Sequence, residues 1–305
     1  MIRKLLNLLL IFCVAIGILL GLTFFFSYLP FWKNNKIAYQ QPTKLFRLQQ
    51  QENYDVVING ASRVNLFSPY TNNDTIEKIL GRKIFNLGKI GVGVVPNKIL
   101  LQYFYDKGNK AKHLIQFIDI HSLYTYQINE NSDFLADEPF DSRLLVLAFR
   151  NGITNAKLAH YYQNKFTFSW INQKPTDSSS TDFRVVREID PEKVKKRIDN
   201  LYFDGVDTVA FRYYSKVLKE LVDIAQANQT KVTFVLLPHH LGKLPGTDRV
   251  MALLNEIKKE KGVEIYDYTN EPFGLELFLD LDHLNSNGVT HFTANYLKPI
   301  LEKEK

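Results

Sequence analysis

The sequence has almost no cysteine, since Cys13 is the single one among its 305 residues. It lies in an apolar segment near the amino terminus, so the rest of the chain can form neither a disulfide nor a cluster of thiolate metal ligands. This scarcity is compatible with an oxidising compartment without requiring one. Hydrophobic residues make up 45% of the chain, which is enough to bury a sizeable core.

The sequence also lacks a dense stripe of Lys and Arg interleaved with aromatic residues. Its formal net charge is +6, and charged residues make up an ordinary 23% of the chain, so wholesale disorder is not expected. The excess of positive charge is too diffuse to indicate nucleic acid as a partner. No internal repeat is found.

Charge is missing altogether between Leu5 and Trp32. This stretch is longer than the about 20 residues that a helix needs to cross the hydrocarbon core of a bilayer. It ends in bulky aromatic residues rather than at a small-residue cleavage site, which favours an uncleaved anchor over a signal peptide. We therefore predict a membrane anchor at 1–33, a polar, Gln-rich linker at 34–50 and a globular domain at 51–305.

Basic residues flank both sides of the apolar stretch, so the positive-inside rule alone does not fix the orientation of the anchor. Long domains translocate largely regardless of their charge. We expect a single-pass protein of the cell membrane, with its amino terminus inside the cell and its globular domain outside the cytoplasm.

Short apolar segments alternate with amphipathic helical patterns through the globular part. The segments typical of buried strands are YDVVING (54–60), KIFNLGKIGVG (83–93), HLIQFIDI (113–120), KVTFVLLP (231–238) and VEIYDYT (263–269). Helical patterns are found at 141–163, from Pro191 to Leu201, at 207–227, at 247–261 and from Val289 to Ile300.

Alternation of this kind implies right-handed crossovers and a parallel sheet that is covered on both faces. We predict an α/β fold, a flavodoxin-like three-layer sandwich with a five-stranded parallel sheet, in addition to the transmembrane helix. The stretch at about 123–190 breaks the alternation and is predicted to be an insertion.

Polar residues follow several of the predicted strands, and ligands of open parallel sheets bind beyond the carboxyl ends of the strands. Ser62 follows the first strand on a turn with Gly60 just before it, where its hydroxyl can be presented at the edge of the sheet. The glycine-rich stretch at 88–93 follows the second strand, and its backbone N–H groups could face a developing oxyanion. His121 follows the third strand.

The segment FLDLDHLNSNG (278–288) contains Asp280, Asp282 and His283. Attack by a serine hydroxyl on an acyl carbon needs a base that takes the proton and an acidic group that orients the base. His283 can be that base and Asp280 can approach its other ring nitrogen, whereas Asp282 is expected to point away. Asp, Asn and Gly also form surface turns, and Ser62 is a favoured helix cap, so purely structural roles stay open.

This set of residues, in this order, resembles the SGNH (GDSL-like) hydrolase superfamily. There a nucleophilic serine follows strand one, a glycine follows an Asn after strand two, and a D-x-x-H pair lies near the carboxyl terminus. The counterparts here are Ser62 in NGASR, Gly91 in NLGKIG, and Asp280 with His283 in DLDH. The H-L-N-x-x-G continuation and VTFVLLP look like the envelope branch, which includes the D-alanyl transfer protein of teichoic acid synthesis and the alginate O-acetylation proteins.

The resemblance implies a membrane-anchored serine esterase or O-acyltransferase that acts on an acylated polysaccharide or glycopolymer of the cell envelope. It implies that Ser62 attacks the acyl ester, that His283 moves the proton and that Asp280 orients His283. The N–H groups of Ser62 and Gly91 would stabilise the oxyanion. Hydrolysis and transfer share the first half-reaction, so both stay open.

The resemblance covers 54–122 and 231–300 and has one departure. After strand three the superfamily usually has G-x-N-D, whose Asn donates a third oxyanion hydrogen bond, whereas this chain has D-I-H-S at 119–122. Either His121 stands in as the donor or that donor is missing, and loss of one donor costs on the order of 10²–10³ in turnover. Arg63 is expected to be solvated or to bind a phosphate of the substrate.

Two other interpretations remain open. The chain could be a non-catalytic envelope protein that binds a glycan in the same pocket or partners a membrane-bound O-acyltransferase through its anchor. It could also be an anchored flavodoxin-like binding domain in which the three residues have no catalytic role. No cofactor is expected, and no metal either, because the adjacent His239 and His240 lack nearby carboxylates in the sequence.

Overall fold

The computed structural model describes residues 2–33, 45, 48, 50–68, 72–130, 133–135, 141–154, 158 and 184–303. Most of the predicted linker at 34–50 and the central part of the predicted insertion at 123–190 lie outside these residues. The division of the chain into an anchor, a linker and a domain with an insertion therefore stays a prediction.

One parallel sheet of five strands forms the centre of the globular part, in the order β2-β1-β3-β4-β5. The strands are β1 (Asn53–Asn59), β2 (Ile84–Asn86), β3 (Lys110–Phe117), β4 (Lys231–Leu236) and β5 (Glu264–Asp267). Each strand overlaps one of the apolar segments, and every neighbouring pair is parallel. The second strand is shorter than its segment, because the residues after Asn86 form a glycine-rich loop.

Helices cover both faces of this sheet. Among the described residues the helices, in chain order, are α1 (Ile2–Lys33), α2 (Ser62–Asn65), α3 (Asn72–Leu80), α4 (Val94–Asp106), α5 (Tyr126–Asn129), α6 (Ser142–Arg150), α7 (Pro191–Leu201), α8 (Thr208–Ala227), α9 (Thr247–Lys261), α10 (Ser286–Phe292) and α11 (Lys298–Glu302). The helix α1 is not one of those that cover the sheet. Three-ten turns lie at Ile120–Leu123, Asp133–Leu135 and Leu275–Leu277, and one π turn, Thr293–Leu297, joins α10 to α11.

Two apolar clusters fill the spaces between the sheet and its helices. On one face α4, α8 and α9 pack over Leu114 and Phe234. On the other face α3, α10 and α11 pack over Ile58 and Ile115. Alternate residues of the strands point to opposite faces, so the sheet is buried on both sides and the predicted three-layer α/β fold is confirmed.

The helix predictions succeed where an apolar stripe is clear. The patterns place the ends of α8 and α9 to within one residue, and α9 ends where Gly262 adopts the left-handed conformation with φ +67, which glycine tolerates without strain. The prediction of one helix over 141–163 is wrong in length. α6 ends at Arg150, and Gly152 leaves the helical conformation with φ +86.

The helix α1 carries the apolar stretch near the amino terminus. Its span Ile2–Leu22 has a mean hydropathy of 2.8, and none of it is buried against the rest of the chain. A helix of this length and composition can cross a membrane, and a signal sequence has the same properties.

Candidate active site

Ser62 lies at the carboxyl end of β1, as the first residue of α2. The turn between strand and helix is tight, because a Cβ atom on Gly60 would lie 2.6 Å from Cγ2 of Val64. The carbonyl of Ala61 accepts the N–H groups of Val64 and Asn65 at 3.0 and 3.1 Å and so closes the first helical turn. Ser62 therefore lies beyond the carboxyl end of β1, at the edge of the sheet.

The structure brings Ser62, His283 and Asp280 into one hydrogen-bonded chain. Oγ of Ser62 lies 2.8 Å from Nε2 of His283. The other ring nitrogen, Nδ1, lies 2.9 and 3.0 Å from the two carboxylate oxygens of Asp280. A neutral imidazole with its proton on Nδ1 satisfies both contacts, since it donates to Asp280 and accepts from Ser62.

The carboxylate of Asp280 is held by its own loop. Its Oδ1 accepts the backbone N–H groups of Asp282 at 3.0 Å and of His283 at 2.8 Å, besides the bond from the ring. Burial raises the pKa of Asp280, but the hydrogen bond and the charge of His283 outweigh burial, so the pKa lies below its usual value. Asp280 is therefore ionised at neutral pH.

The loop that carries Asp280 and His283 is fastened to β4 and to itself. The N–H of His240, four residues after the end of β4, donates to the carbonyl of Leu281 at 2.8 Å. The N–H of Leu279 donates to the carbonyl of His283, also at 2.8 Å. These bonds hold the backbone of the loop, and with it His283, in a defined position beyond the carboxyl end of β4.

Asn285 and Gly288 connect this loop to α10. The side chain of Asn285 accepts the N–H of Gly288 at 3.0 Å, which caps the helix, and donates to the carbonyls of Glu276 at 2.7 Å and Arg184 at 3.1 Å. A Cβ atom on Gly288 would lie 2.1 Å from the carbonyl oxygen of Leu277. Within the H-L-N-x-x-G sequence, Asn285 thus supplies the bonds that hold the loop of His283 against α10, and Gly288 leaves room for the carbonyl of Leu277.

The glycine-rich loop after β2 is bonded to the helix of the serine. Nδ2 of the buried Asn86 donates to the carbonyl of Val64 at 2.8 Å, and its Oδ1 accepts the N–H of Gly88 at 2.7 Å. Gly91 lies further along the loop, exposed, with φ +69. Among the described residues, no hydrogen-bond partner is found for the N–H groups of Ser62 and Gly91.

His121 lies four residues after the end of β3, in the three-ten turn Ile120–Leu123. Its Nδ1 is buried and has no hydrogen-bond partner within the described part of the chain, and its ring meets that of Tyr202 edge to face at 6.3 Å. Burial lowers the pKa of His121 to about 4, although the charge of Asp119 opposes the change. The ring is therefore neutral at neutral pH.

Arg63 differs from its prediction. The side chain is only 5% exposed, and Nε lies 3.2 Å from Oδ1 of Asp119 and 3.9 Å from Oδ2 of Asp282. The prediction that Arg63 is solvated is wrong, because α2 turns this side chain inward, where the two carboxylates compensate its charge. Its pairing gives no support to contact with a substrate phosphate.

Arg197 of α7 is a site residue that the sequence did not reveal. Its Nε and Nη2 donate to the two carboxylate oxygens of Asp282, both at 2.8 Å. Burial raises the pKa of Asp282, but the bond from Arg197 and the charge of Arg63 outweigh it, and the net pKa lies far below the usual value. No local signal marks Arg197, which is one of several basic residues on an exposed helix and lies 85 positions from its partner.

A metal site does not fit this donor set. Asp280, Asp282 and His283 each offer a ligand atom, and the three atoms lie within 4.8 Å of one another. Arg197 already occupies both oxygens of Asp282, and both ring nitrogens of His283 are bonded to Ser62 and Asp280. The arrangement is the one on which serine hydrolases rely, a chain from serine through histidine to aspartate.

Comparisons with known proteins add little to this geometry. No family model matches the chain, and no curated protein matches it. Among solved structures, the chain is similar to a Bacteroides fragilis NCTC 9343 protein assigned as an acylhydrolase, with 10% identity and a TM-score of 0.42. The match covers 89% of this chain and 98% of that one. A likeness at this level does not bear on the chemistry of the site.

Proposed function

We propose that the chain is a membrane-anchored, SGNH-like serine esterase or O-acyltransferase. The observation that carries this proposal is the bonded chain of Ser62, His283 and Asp280, with 2.8 Å between Oγ and Nε2 and 2.9 Å between Nδ1 and Oδ1. Nucleophile and base at 2.6–3.2 Å, with a third group that orients the base, form the signature of covalent acyl transfer.

In the first half-reaction Oγ of Ser62 attacks the acyl carbon of an ester, and Nε2 of His283 takes the hydroxyl proton. The imidazolium that forms is stabilised by Asp280, which stays ionised throughout. Collapse of the tetrahedral intermediate breaks the ester bond, and His283 returns its proton to the leaving alcohol. Water or a sugar hydroxyl then attacks the acyl-enzyme, with His283 again as the base.

The negative charge of the intermediate falls on the former carbonyl oxygen. The N–H groups of Ser62 and Gly91 are the donors that we assign to it, since both lie in segments that Asn86 ties together. As the third hydrogen-bond donor to this oxygen we assign the neutral ring of His121. Such donors act strongly where water is excluded and their positions are fixed in advance.

The substrate that we propose is an acylated polysaccharide or glycopolymer of the cell envelope. The support for this class is the sequence resemblance together with α1, which would hold the domain at the membrane surface. The proposed orientation puts the domain outside the cytoplasm, where such polymers lie.

The first test uses the full chain in detergent, a fluorophosphonate probe and intact-protein mass spectrometry. We expect one adduct on the wild-type chain and none on Ser62→Ala or His283→Ala, because the probe reacts with a serine that a base activates. Thr290→Ala, at an exposed position of α10, serves as the folded control and is expected to react. If the folded wild-type chain forms no adduct, the proposal that it is a serine esterase or O-acyltransferase is contradicted.

A second candidate, a non-catalytic protein that binds a glycan or partners a membrane-bound O-acyltransferase, is favoured by one observation. His121 stands at the position where the resembling family has the Asn that donates to the oxyanion. The enzyme predicts a loss of about 10²–10³ in the probe reaction for His121→Ala and retention for His121→Asn. If His121→Ala, His121→Asn and the wild-type chain all react with the probe at the same rate, His121 is not an oxyanion donor.

A further inference from the structure

Four charged side chains of alternating sign form a continuous row beside the proposed catalytic residues. The row runs from Arg197 to Asp282, then to Arg63, and ends at Asp119. Three of its members are almost completely buried, with side chains 2–6% exposed, while Arg197 is 32% exposed. The two positive and two negative charges compensate one another, as burial in a protein requires.

Each member of the row comes from a different segment of the site. Asp282 directly precedes His283, Arg63 directly follows Ser62, and Asp119 comes shortly before His121. Arg197 belongs to α7, which has no other hydrogen bond to the described residues of the His283 loop. A displacement of any one segment would therefore separate a buried charge from its partner.

The contact between Arg197 and Asp282 has a direct consequence for the imidazole. Oδ1 of Asp282 lies 3.6 Å from Nδ1 of His283, while Asp280 holds the same nitrogen at 2.9 Å. Asp282 is thus a second carboxylate within reach of the ring. The planar guanidinium of Arg197 binds both oxygens of Asp282. This geometry fixes the orientation of the carboxylate and compensates its negative charge.

We propose that Arg197 is a positioning residue, which keeps Asp282 off the catalytic imidazole so that His283 stays aligned between Asp280 and Ser62. This role rests on the proposed function. Without Arg197, Asp282 competes with Asp280 for the proton on Nδ1, and the ring turns away from Oγ. A misplacement of about 1 Å can cost on the order of 10²-fold in rate, while binding of substrate is unaffected.

The test measures the rate of fluorophosphonate reaction with the full chain in detergent, as a function of probe concentration. We expect Arg197→Gln to lower the maximal rate kinact about 10–100-fold, with KI unchanged. Arg197→Lys restores part of the rate, because lysine keeps the charge but not the fork. The matched control is Lys195→Gln on the same helix, whose side chain is 79% exposed and pairs with Asp199.

A second readout does not depend on activity. In the chain labelled with ¹⁵N-histidine, the proton on Nδ1 of His283 should give a strongly downfield NMR signal, assigned by its loss in His283→Gln. We expect Arg197→Gln to shift or broaden that signal, and Lys195→Gln to retain it. An unchanged signal and an unchanged kinact in Arg197→Gln would overturn the proposal. If the wild-type chain does not react, the proposed function fails, and the signal alone still decides the role of Arg197.

Discussion

Two aspartates separated by one residue have different partners and different tasks. Asp280 binds the imidazole and two backbone N–H groups, whereas Asp282 binds Arg197. The difference follows from the turn, which directs Asp280 back to its own backbone and Asp282 into the protein. The D-x-x-H spacing predicts the first contact, because it is local, but nothing local predicts the second.

Two partly buried histidines, His121 and His239, should make the stability of the domain depend on pH. Burial lowers the pKa of His121 and of His239 to about 4, against about 6.5 in an unfolded chain. Between these values the unfolded state binds more protons than the folded state. The free energy of unfolding therefore falls as the pH is lowered from about 6.5 to about 4, by on the order of 1–3 kcal/mol for each histidine.

The check is denaturant unfolding of the wild-type chain and of His121→Asn at several pH values between 4 and 7.5. We expect the variant to lose the share of the slope that His121 contributes, since an amide does not titrate. His291→Asn, at an exposed position, should keep the wild-type slope. If His121→Asn also keeps it, His121 is not held neutral by burial.

The elements that the sequence predicts well are those with one polar and one apolar face. α8 and α9 have such faces, whereas α4 is buried along most of its length and shows no polar stripe, so periodicity gives no signal for it. Pro96 adds to the difficulty, because it resembles a helix breaker. It lies in the first turn of α4, where its missing N–H has no intrahelical partner to lose.

The same reasoning applies to the site. Ser62, Asp280 and His283 are predictable because a strand end and a short motif place them, and the sheet topology brings the two segments together. The burial of the Arg63 side chain and its ion pair with Asp119 depend on packing between elements that are distant in the chain. Residue type and spacing do not encode such contacts.

At the scale of elements, Gly288 should be indispensable for the connection between the His283 loop and α10. In Gly288→Ala the new Cβ would lie 2.1 Å from the carbonyl of Leu277, so the backbone must move. Overpacking of this kind costs about 1–3 kcal/mol. We expect lower stability in thermal unfolding and slower reaction with the fluorophosphonate probe.

The control for this substitution is Thr290→Ala, two positions along the same helix and exposed. It changes helix propensity without a close contact and should leave both measurements near their wild-type values. Wild-type stability and reactivity in Gly288→Ala would mean that the loop adapts freely, and that the glycine is not what places His283.

At the scale of the whole molecule, α1 ends at Lys33 and the first strand begins at Asn53. The residues between them span at most about 65 Å, because an extended chain advances about 3.4 Å for each residue. If α1 stays in the membrane, this length limits how far β1, and Ser62 after it, can lie from the bilayer surface. Under the proposed function, the acyl donor or acceptor must then be presented within that range, as a polymer assembled at the membrane would be.

The orientation can be tested because Cys13 is the single cysteine of the chain. In a Cys13→Ser background, Lys195→Cys introduces a thiol at a site where the native side chain is 79% exposed, and Ile2→Cys introduces one at the start of α1. We expect a membrane-impermeant maleimide to label position 195 in intact cells and position 2 only after permeabilisation, because long domains translocate largely regardless of charge. The reverse pattern would place the domain in the cytoplasm and exclude an envelope polymer as its substrate. Labelling of both positions in intact cells would instead contradict a spanning helix, since the two ends could not then lie on opposite sides of the membrane.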